Sequence, residues 1–76
     1  MTYKEKLDEL DRVINQKLTI YNEIQEDLES ESVFKKYNIV DYENAMDAHT
    51  LAVNNRGNVS KEMIRLGLSL NDDYVG

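Results

Sequence analysis

Apolar residues recur along the N-terminal part of the chain at alternating spacings of four and three. The spacing runs through eight positions, of which seven are apolar or aromatic. These positions are Tyr3, Leu7, Leu10, Ile14, Lys17, Tyr21, Ile24 and Leu28. The repeat predicts one long helix over residues 2–29. Thr2 is a suitable N-cap, and Glu5, three residues later, would complete a capping box.

The apolar stripe of this predicted helix is wider than the seam of a two-stranded coiled coil. Val13 and Ile20 widen it on one side, and Leu18 widens it on the other. Such width is typical of a helix that touches more than one neighbour in a bundle. We therefore predict a homodimer that associates through the long helix. The residues predicted to join the two copies are Leu7, Leu10, Ile14, Lys17, Tyr21, Ile24 and Leu28.

Lys17 is the one charged residue within this stripe. Its aliphatic stem could lie along the edge of the stripe while its ammonium group reaches water. Alternatively, a polar residue at such a position can fix the register or the oligomeric state of associating helices.

Shorter elements are predicted in the rest of the chain. Residues 33–40 could form either a short helical turn or a loop. A helix is predicted over residues 42–54, with Asp41 as its N-cap. The sequence "NNRGN" at residues 54–58 is the clearest loop signal, because Asn and Gly favour turns. A last helix is predicted over residues 61–66.

No segment alternates apolar and polar residues in the manner of a strand, so the predicted fold class is all-α. The expected architecture is a small helical bundle in which two or three shorter helices pack against the long N-terminal helix. Residues 1–70 would form a single domain, and residues 71–76 a flexible C-terminal tail. The chain lacks Cys, and His49 is its only His, so neither a disulfide nor a Cys/His metal site can stabilise it.

The net charge of −6 is concentrated in the first helix. Five acids crowd its C-terminal end, where the helix dipole favours cations. These are Glu23, Glu26, Asp27, Glu29 and Glu31. The arrangement predicts a surface for a basic partner protein, although a solvated face would show the same pattern. Tyr37 and Tyr42 flank the connection between helices and are also predicted to bind the partner, with core packing as the alternative.

We expect no catalytic, cofactor or metal site. His49 is the only candidate general base, and Asp47, two residues away, would not face it on a helix. The chain has no signal peptide pattern and no apolar run long enough to cross a membrane, so a cytoplasmic location is expected. Its acidic charge argues against direct binding to nucleic acid.

The segment "RGNVSKEMIRLGLS" at residues 56–69 nevertheless resembles the helix-turn-helix of Fis-type DNA-binding domains. The matching residues are Gly57, Asn58, Leu66, Gly67, Leu68 and Ser69. The resemblance implies a transcriptional regulator that reads DNA as a dimer. The sequence departs from that pattern at Glu62 and Met63, where the family has small residues. Asp72 and Asp73 stand where a groove-reading helix would carry basic or amide side chains. Gly67 is better interpreted as the end of a helix.

These observations favour a small acidic interaction protein that acts as an inhibitor, adaptor or regulator of another protein. By analogy, chains of this kind are typical of phages and mobile elements. Two alternatives are a dimeric transcriptional regulator with a degenerate helix-turn-helix at residues 57–69, and a structural helical oligomer.

Overall fold

The chain folds into an antiparallel hairpin of two helices of equal length. The computed structural model describes residues 1–76, with α1 over Tyr3–Glu29 and α2 over Ile39–Arg65. Each helix has 27 residues, and residues 30–38 form the connecting loop. No strand is present, which confirms the all-α class. The expectation of two or three shorter helices beside a long one was only partly correct, because α2 is as long as α1.

α1 begins and ends where the sequence predicts. The Thr2 side chain accepts a hydrogen bond from the Glu5 backbone N–H at 3.2 Å, and the Glu5 carboxylate accepts one from the Thr2 N–H at 3.1 Å. The predicted capping box is therefore confirmed. The Thr2 backbone N–H and the Thr2 hydroxyl both donate to the Glu5 carboxylate, which lowers the pKa of Glu5. At the other end, Ser30 is extended and closes the helix after Glu29.

α2 corrects two predictions about the middle of the chain. The predicted helices at residues 42–54 and 61–66 are parts of one continuous helix, so the predicted loop at residues 54–58 was wrong. The N-cap is Asn38 rather than Asp41, and Asp41 completes a capping box as the third helical residue. Residues 33–37 are not helical. Asn and Gly lower helix propensity by less than about 1 kcal/mol each, which packing against α1 can offset.

The contact between the helices is made by matching heptad stripes. All eight positions of the α1 stripe, from Tyr3 to Leu28, are buried or half-buried. The corresponding stripe of α2 is also buried or half-buried and comprises Tyr42, Ala45, His49, Ala52, Arg56, Val59 and Met63. The five most buried residues all belong to these stripes, namely Tyr3, Leu7, Ile24, Ala45 and Ala52. The two alanines leave room for α1 to approach α2.

Gly67 ends α2 in a left-handed conformation, with φ of +70°. The Leu68 N–H donates to the Met63 carbonyl, and the Gly67 N–H to the Ile64 carbonyl, both at 3.0 Å. This pair of bonds is a Schellman motif, which satisfies carbonyls that a helix end leaves free. The interpretation of Gly67 as a helix end is supported.

Residues 68–76 turn back and lie against the start of α1. The Tyr3 and Lys4 N–H groups donate to the carbonyls of Asp72 and Leu70, both at 3.0 Å. With the capping box, these bonds satisfy the free N–H groups of the first helical turn. The Tyr74 ring meets the Tyr3 ring edge-on at 5.4 Å. The hydrogen bonds and the Tyr3–Tyr74 contact hold this segment against α1. The flexibility of residues 71–76 stays a prediction.

Neither helix is long and apolar enough to form a membrane span.

Candidate protein-binding surface

The five acids predicted to meet a basic partner lie in two different environments at the loop end of the hairpin. Glu23, Glu26, Glu29 and Glu31 are exposed, whereas Asp27 is half-buried. Both Glu23 and Glu26 line an open depression that also touches Lys36 and Tyr37. The depression has a volume of about 480 Å³ and is mainly polar. Four of the five predicted acids are therefore accessible to a partner.

Asp27 instead organises the loop of its own chain. Its carboxylate accepts hydrogen bonds from the backbone N–H groups of Lys36 and Tyr37, both at 3.1 Å. The Lys35 ammonium group donates to the carbonyls of Asp27 and Ser30, at the C-terminal end of α1. A cation from the loop thus offsets the helix dipole at the end where α1 itself has no basic residue. The bonds from Lys35, Lys36 and Tyr37 to Asp27 join residues eight to ten positions apart, so no pattern of neighbouring residues predicts them.

We expect Asp27→Asn to lower the free energy of unfolding by about 1 kcal/mol, since the two N–H groups lose a charged acceptor. Glu26→Gln, one position earlier, should leave stability unchanged within about 0.5 kcal/mol, because the Glu26 side chain is exposed and makes no hydrogen bond within the chain. Urea unfolding of both variants measures the difference. Equal effects would show that Asp27 does not organise the loop.

Tyr37 connects the acidic depression to an apolar groove between the helices. Besides Tyr37, the groove is lined by Lys17, Ile20, Ile24, Asp41, Asn44, Ala45 and Ala48. Its volume is about 260 Å³. Ile20 is 45% exposed, so the groove offers apolar area that α2 does not cover. Ile20 widens the apolar stripe in the sequence, but its place in a groove with Ala48 and Tyr37 follows only from the packing of the two helices.

The loop tip carries the two most exposed large apolar side chains of the chain. Val33 is 85% exposed and Phe34 is 87% exposed. The Phe34 backbone N–H donates to the Ser32 hydroxyl at 3.1 Å, which holds the tip in a turn. An aromatic ring presented to water in this way is a common feature of binding surfaces. From the sequence, Phe34 falls in the segment 33–40, which is predicted to be either a short helical turn or a loop.

Tyr42 lies within the helix pair rather than on the surface with Tyr37. Its hydroxyl is 2.6 Å from the Tyr21 hydroxyl, and the two rings are 5.1 Å apart. The hydrogen bond with Tyr42, together with partial burial, raises the pKa of Tyr21. The core-packing alternative therefore describes the geometry of Tyr42, while Tyr37 keeps a place at the candidate surface.

The residues predicted to join two copies lie on the side of α1 that faces α2. Leu7 and Ile24 are buried, and Leu10, Ile14, Lys17, Tyr21 and Leu28 are half-buried. Tyr21 contacts Tyr42 directly, and Lys17 lines the apolar groove. One chain thus covers much of this stripe by itself. Association of two copies through the stripe stays a prediction.

Comparison of the chain with protein-family models, curated proteins and solved structures finds no match.

The segment that resembles a helix-turn-helix has a different arrangement here. Residues up to Arg65 belong to α2, and Gly67 ends that helix. The residues that follow form a turn in which the Asp72 carboxylate accepts from the Ser69 N–H at 2.7 Å. No second helix follows the turn. Asp72 and Asp73 lie beside the start of α1 instead of on a helix that could enter a DNA groove.

His49 belongs to the face of α2 that packs against α1, where it is half-buried. Asp47 is exposed on the outer side of the same helix. No three side chains of the metal-binding types lie close enough together to hold a metal ion.

Proposed function

We propose that this protein binds a basic, amphipathic segment of another protein at the loop end of its hairpin. One observation carries the proposal: the acidic depression and the apolar groove share Tyr37, which follows the exposed Phe34 by three residues in the same loop. Apolar side chains of a partner helix would occupy the groove. Its Lys or Arg residues would meet Glu23 and Glu26.

The charge distribution supports a basic partner over an acidic one. Three acids and one Lys line the depression, namely Glu23, Glu26, Asp27 and Lys36, whereas Asp41 and Lys17 balance each other in the groove. The Lys35 ammonium group donates to the carbonyls of Asp27 and Ser30, so its charge lies at the C-terminal end of α1. Complementary charge speeds encounter more than it strengthens the final contact. An inhibitor, adaptor or regulator of another protein would use such a surface.

A synthetic helical peptide tests the charge and apolar requirements directly. The probe carries Leu at heptad spacing and Lys on the flanking positions, and a control peptide has Glu in place of every Lys. We expect the Lys peptide alone to bind, and its affinity to fall as salt rises from about 0.05 to 0.5 M, because screening shortens the range of attraction. Fluorescence anisotropy of labelled peptides measures both effects.

Substitutions then locate the peptide on the protein. Glu23→Gln with Glu26→Gln should slow association about fivefold or more, because steering charge is lost. Asp8→Asn with Asp47→Asn makes the same change in net charge at exposed positions away from the loop end and should have a much smaller effect. Phe34→Ser should speed dissociation without altering stability. Equal effects of the two charge pairs would show that net charge, not this surface, attracts the peptide.

Capture of partners from a cell lysate would then identify the biological target, with Phe34→Ser as the negative control. Two other functions predict different outcomes. A DNA-binding regulator would shift a DNA fragment in a gel at low salt, and a purely structural oligomer would capture only its own chain.

A further inference from the structure

α2 carries a second heptad stripe beside the one that packs against α1. Besides Thr50, its uncharged members are four large apolar residues and two small ones. They are Ile39, Met46, Val53, Gly57, Ser60 and Ile64. Thr50 falls within the same spacing, and Glu43 is the only charged residue in it. The four apolar members are between 42% and 69% exposed. A helix with two adjacent stripes is typical of a bundle in which it touches two neighbours.

The surface of the hairpin is larger than expected for a folded monomer of its mass. Its accessible area is 5621 Å², whereas a compact monomer of this size exposes about 4,800 Å². The radius of gyration is 16.5 Å, against about 11 Å for a compact chain of this length. The excess area, about 800 Å², equals what one partner contributes to a standard interface. A second copy is an occupant of the right size.

Gly57 gives an independent indication of close approach at this stripe. It lies inside α2 without a positive φ, and a Cβ atom added there would meet nothing within 4 Å. The hairpin alone therefore has no steric need for glycine at this position. Glycine in a helix interior is unfavourable relative to alanine. A neighbouring helix that passes close to Gly57 and Ser60 would supply the reason, because small residues let two helix backbones approach.

The charge pattern favours a second copy of the chain on this side. Between Arg12 and Glu23, the only charged residue of α1 is Lys17, which lines the groove on the opposite side of the hairpin. Gln25 and Glu29 line one depression with Ile39, so this side of α1 adjoins the second stripe and carries Glu29 as its charged residue near the loop. A twofold interface brings identical surfaces together, so it requires a face without a strong excess of one charge.

We propose that two copies of this chain associate through the second stripe of α2 and form an antiparallel four-helix bundle. The interface differs from the α1 stripe, which the hairpin already covers with α2. It also leaves the acidic loop-end surface open on each copy, so one dimer would present two binding surfaces to basic partners.

Light scattering and sedimentation of the full chain test the association. The unaltered protein at about 100 μM should have twice the 8.9 kDa mass of one chain. Met46→Glu with Val53→Glu should raise the dissociation constant at least about 100-fold, since four carboxylates would enter one interface. Leu51→Glu is the control: Leu51 is 61% exposed on the same helix but lies outside the second stripe, and its variant should remain dimeric.

If the double Glu variant fails to fold, Gly57→Gln provides a second test of the interface. Open space around Gly57 accommodates the new side chain within one hairpin, so circular dichroism should show unchanged or increased helicity. The same side chain should raise the dissociation constant about tenfold or more by separating the two copies. A monomeric mass for the unaltered protein would overturn the proposal. A dimer that persists in both the Gly57 and the double Glu variants would also overturn it, and would favour association through the α1 stripe.

Discussion

Ile24→Ala is expected to lower the free energy of unfolding by about 2–4 kcal/mol, the usual range for truncation of a buried aliphatic side chain. Ile24 is 4% exposed and lies beside Ala45 in the contact between the helices. Only five residues of the chain are this well buried, so few other contacts can compensate. A small domain without disulfides or metals has a total stability of about 3–5 kcal/mol. The variant should therefore be largely unfolded near its normal working temperature.

Ile20→Ala is the matched control, since it removes the same atoms from the same helix. Ile20 is 45% exposed, so its truncation should cost less than about 1 kcal/mol. Thermal unfolding followed by circular dichroism, with urea unfolding where the variant still folds, measures both. Equal losses at the two positions would show that the helices do not pack through the stripe that contains Ile24. Ile20→Ala should instead weaken binding of the basic peptide, because Ile20 lines the groove.

Gly67→Ala is expected to lower stability by about 1–2 kcal/mol, because a Cβ atom is disfavoured in the left-handed region. The φ of +70° is the only positive φ in the chain. Open space surrounds Gly67, so no neighbouring atom would clash with the methyl group. Backbone strain alone should therefore produce the loss. The strain would also disturb the Schellman motif, which directs the residues that dock on α1.

The control at this position is a residue of the opposite configuration. A synthetic chain with D-alanine at position 67 carries the same methyl group in the configuration that favours positive φ, and it should be at least as stable as the natural chain. Gly67→Asn should cost less than Gly67→Ala, because Asn tolerates the left-handed region. Calorimetric unfolding of the three variants gives the order. If L-alanine and D-alanine have equal effects, Gly67 does not hold the left-handed conformation.

The two proposed surfaces use different sides of the hairpin and can be tested separately. Ile20 and Glu23 belong to the loop-end surface, whereas Met46 and Val53 belong to the second stripe. Loss of peptide binding in Phe34→Ser would leave the dimer intact. Conversely, a monomeric Met46→Glu with Val53→Glu variant should still bind the basic peptide, with a loss of avidity only for bivalent probes.

Signals between residues close in the chain were enough to predict nearly all of α1. Its capping box joins Thr2 to Glu5, three residues apart, and its heptad stripe repeats within two turns. Both signals depend on residues close in the chain, so local stereochemistry is enough to place the helix. Gly67 was predictable for the same reason, since its conformation closes a helix with bonds to residues only three and five positions earlier.

The continuation of α2 and the role of Asp27 could not be predicted from neighbouring residues. Residues 54–58 carry local turn signals, but Arg56 donates to the Asp11 carboxylate at 2.9 Å, and the stripe around it packs against α1. The Asp27 carboxylate accepts hydrogen bonds from backbone N–H groups nine and ten residues later, so it holds the loop in place as well as lining the depression. These contacts join residues far apart in the chain. The free energy of these long-range contacts outweighs local helix propensities, which are less than about 1 kcal/mol per residue. A pattern of neighbouring residues does not reveal such contacts.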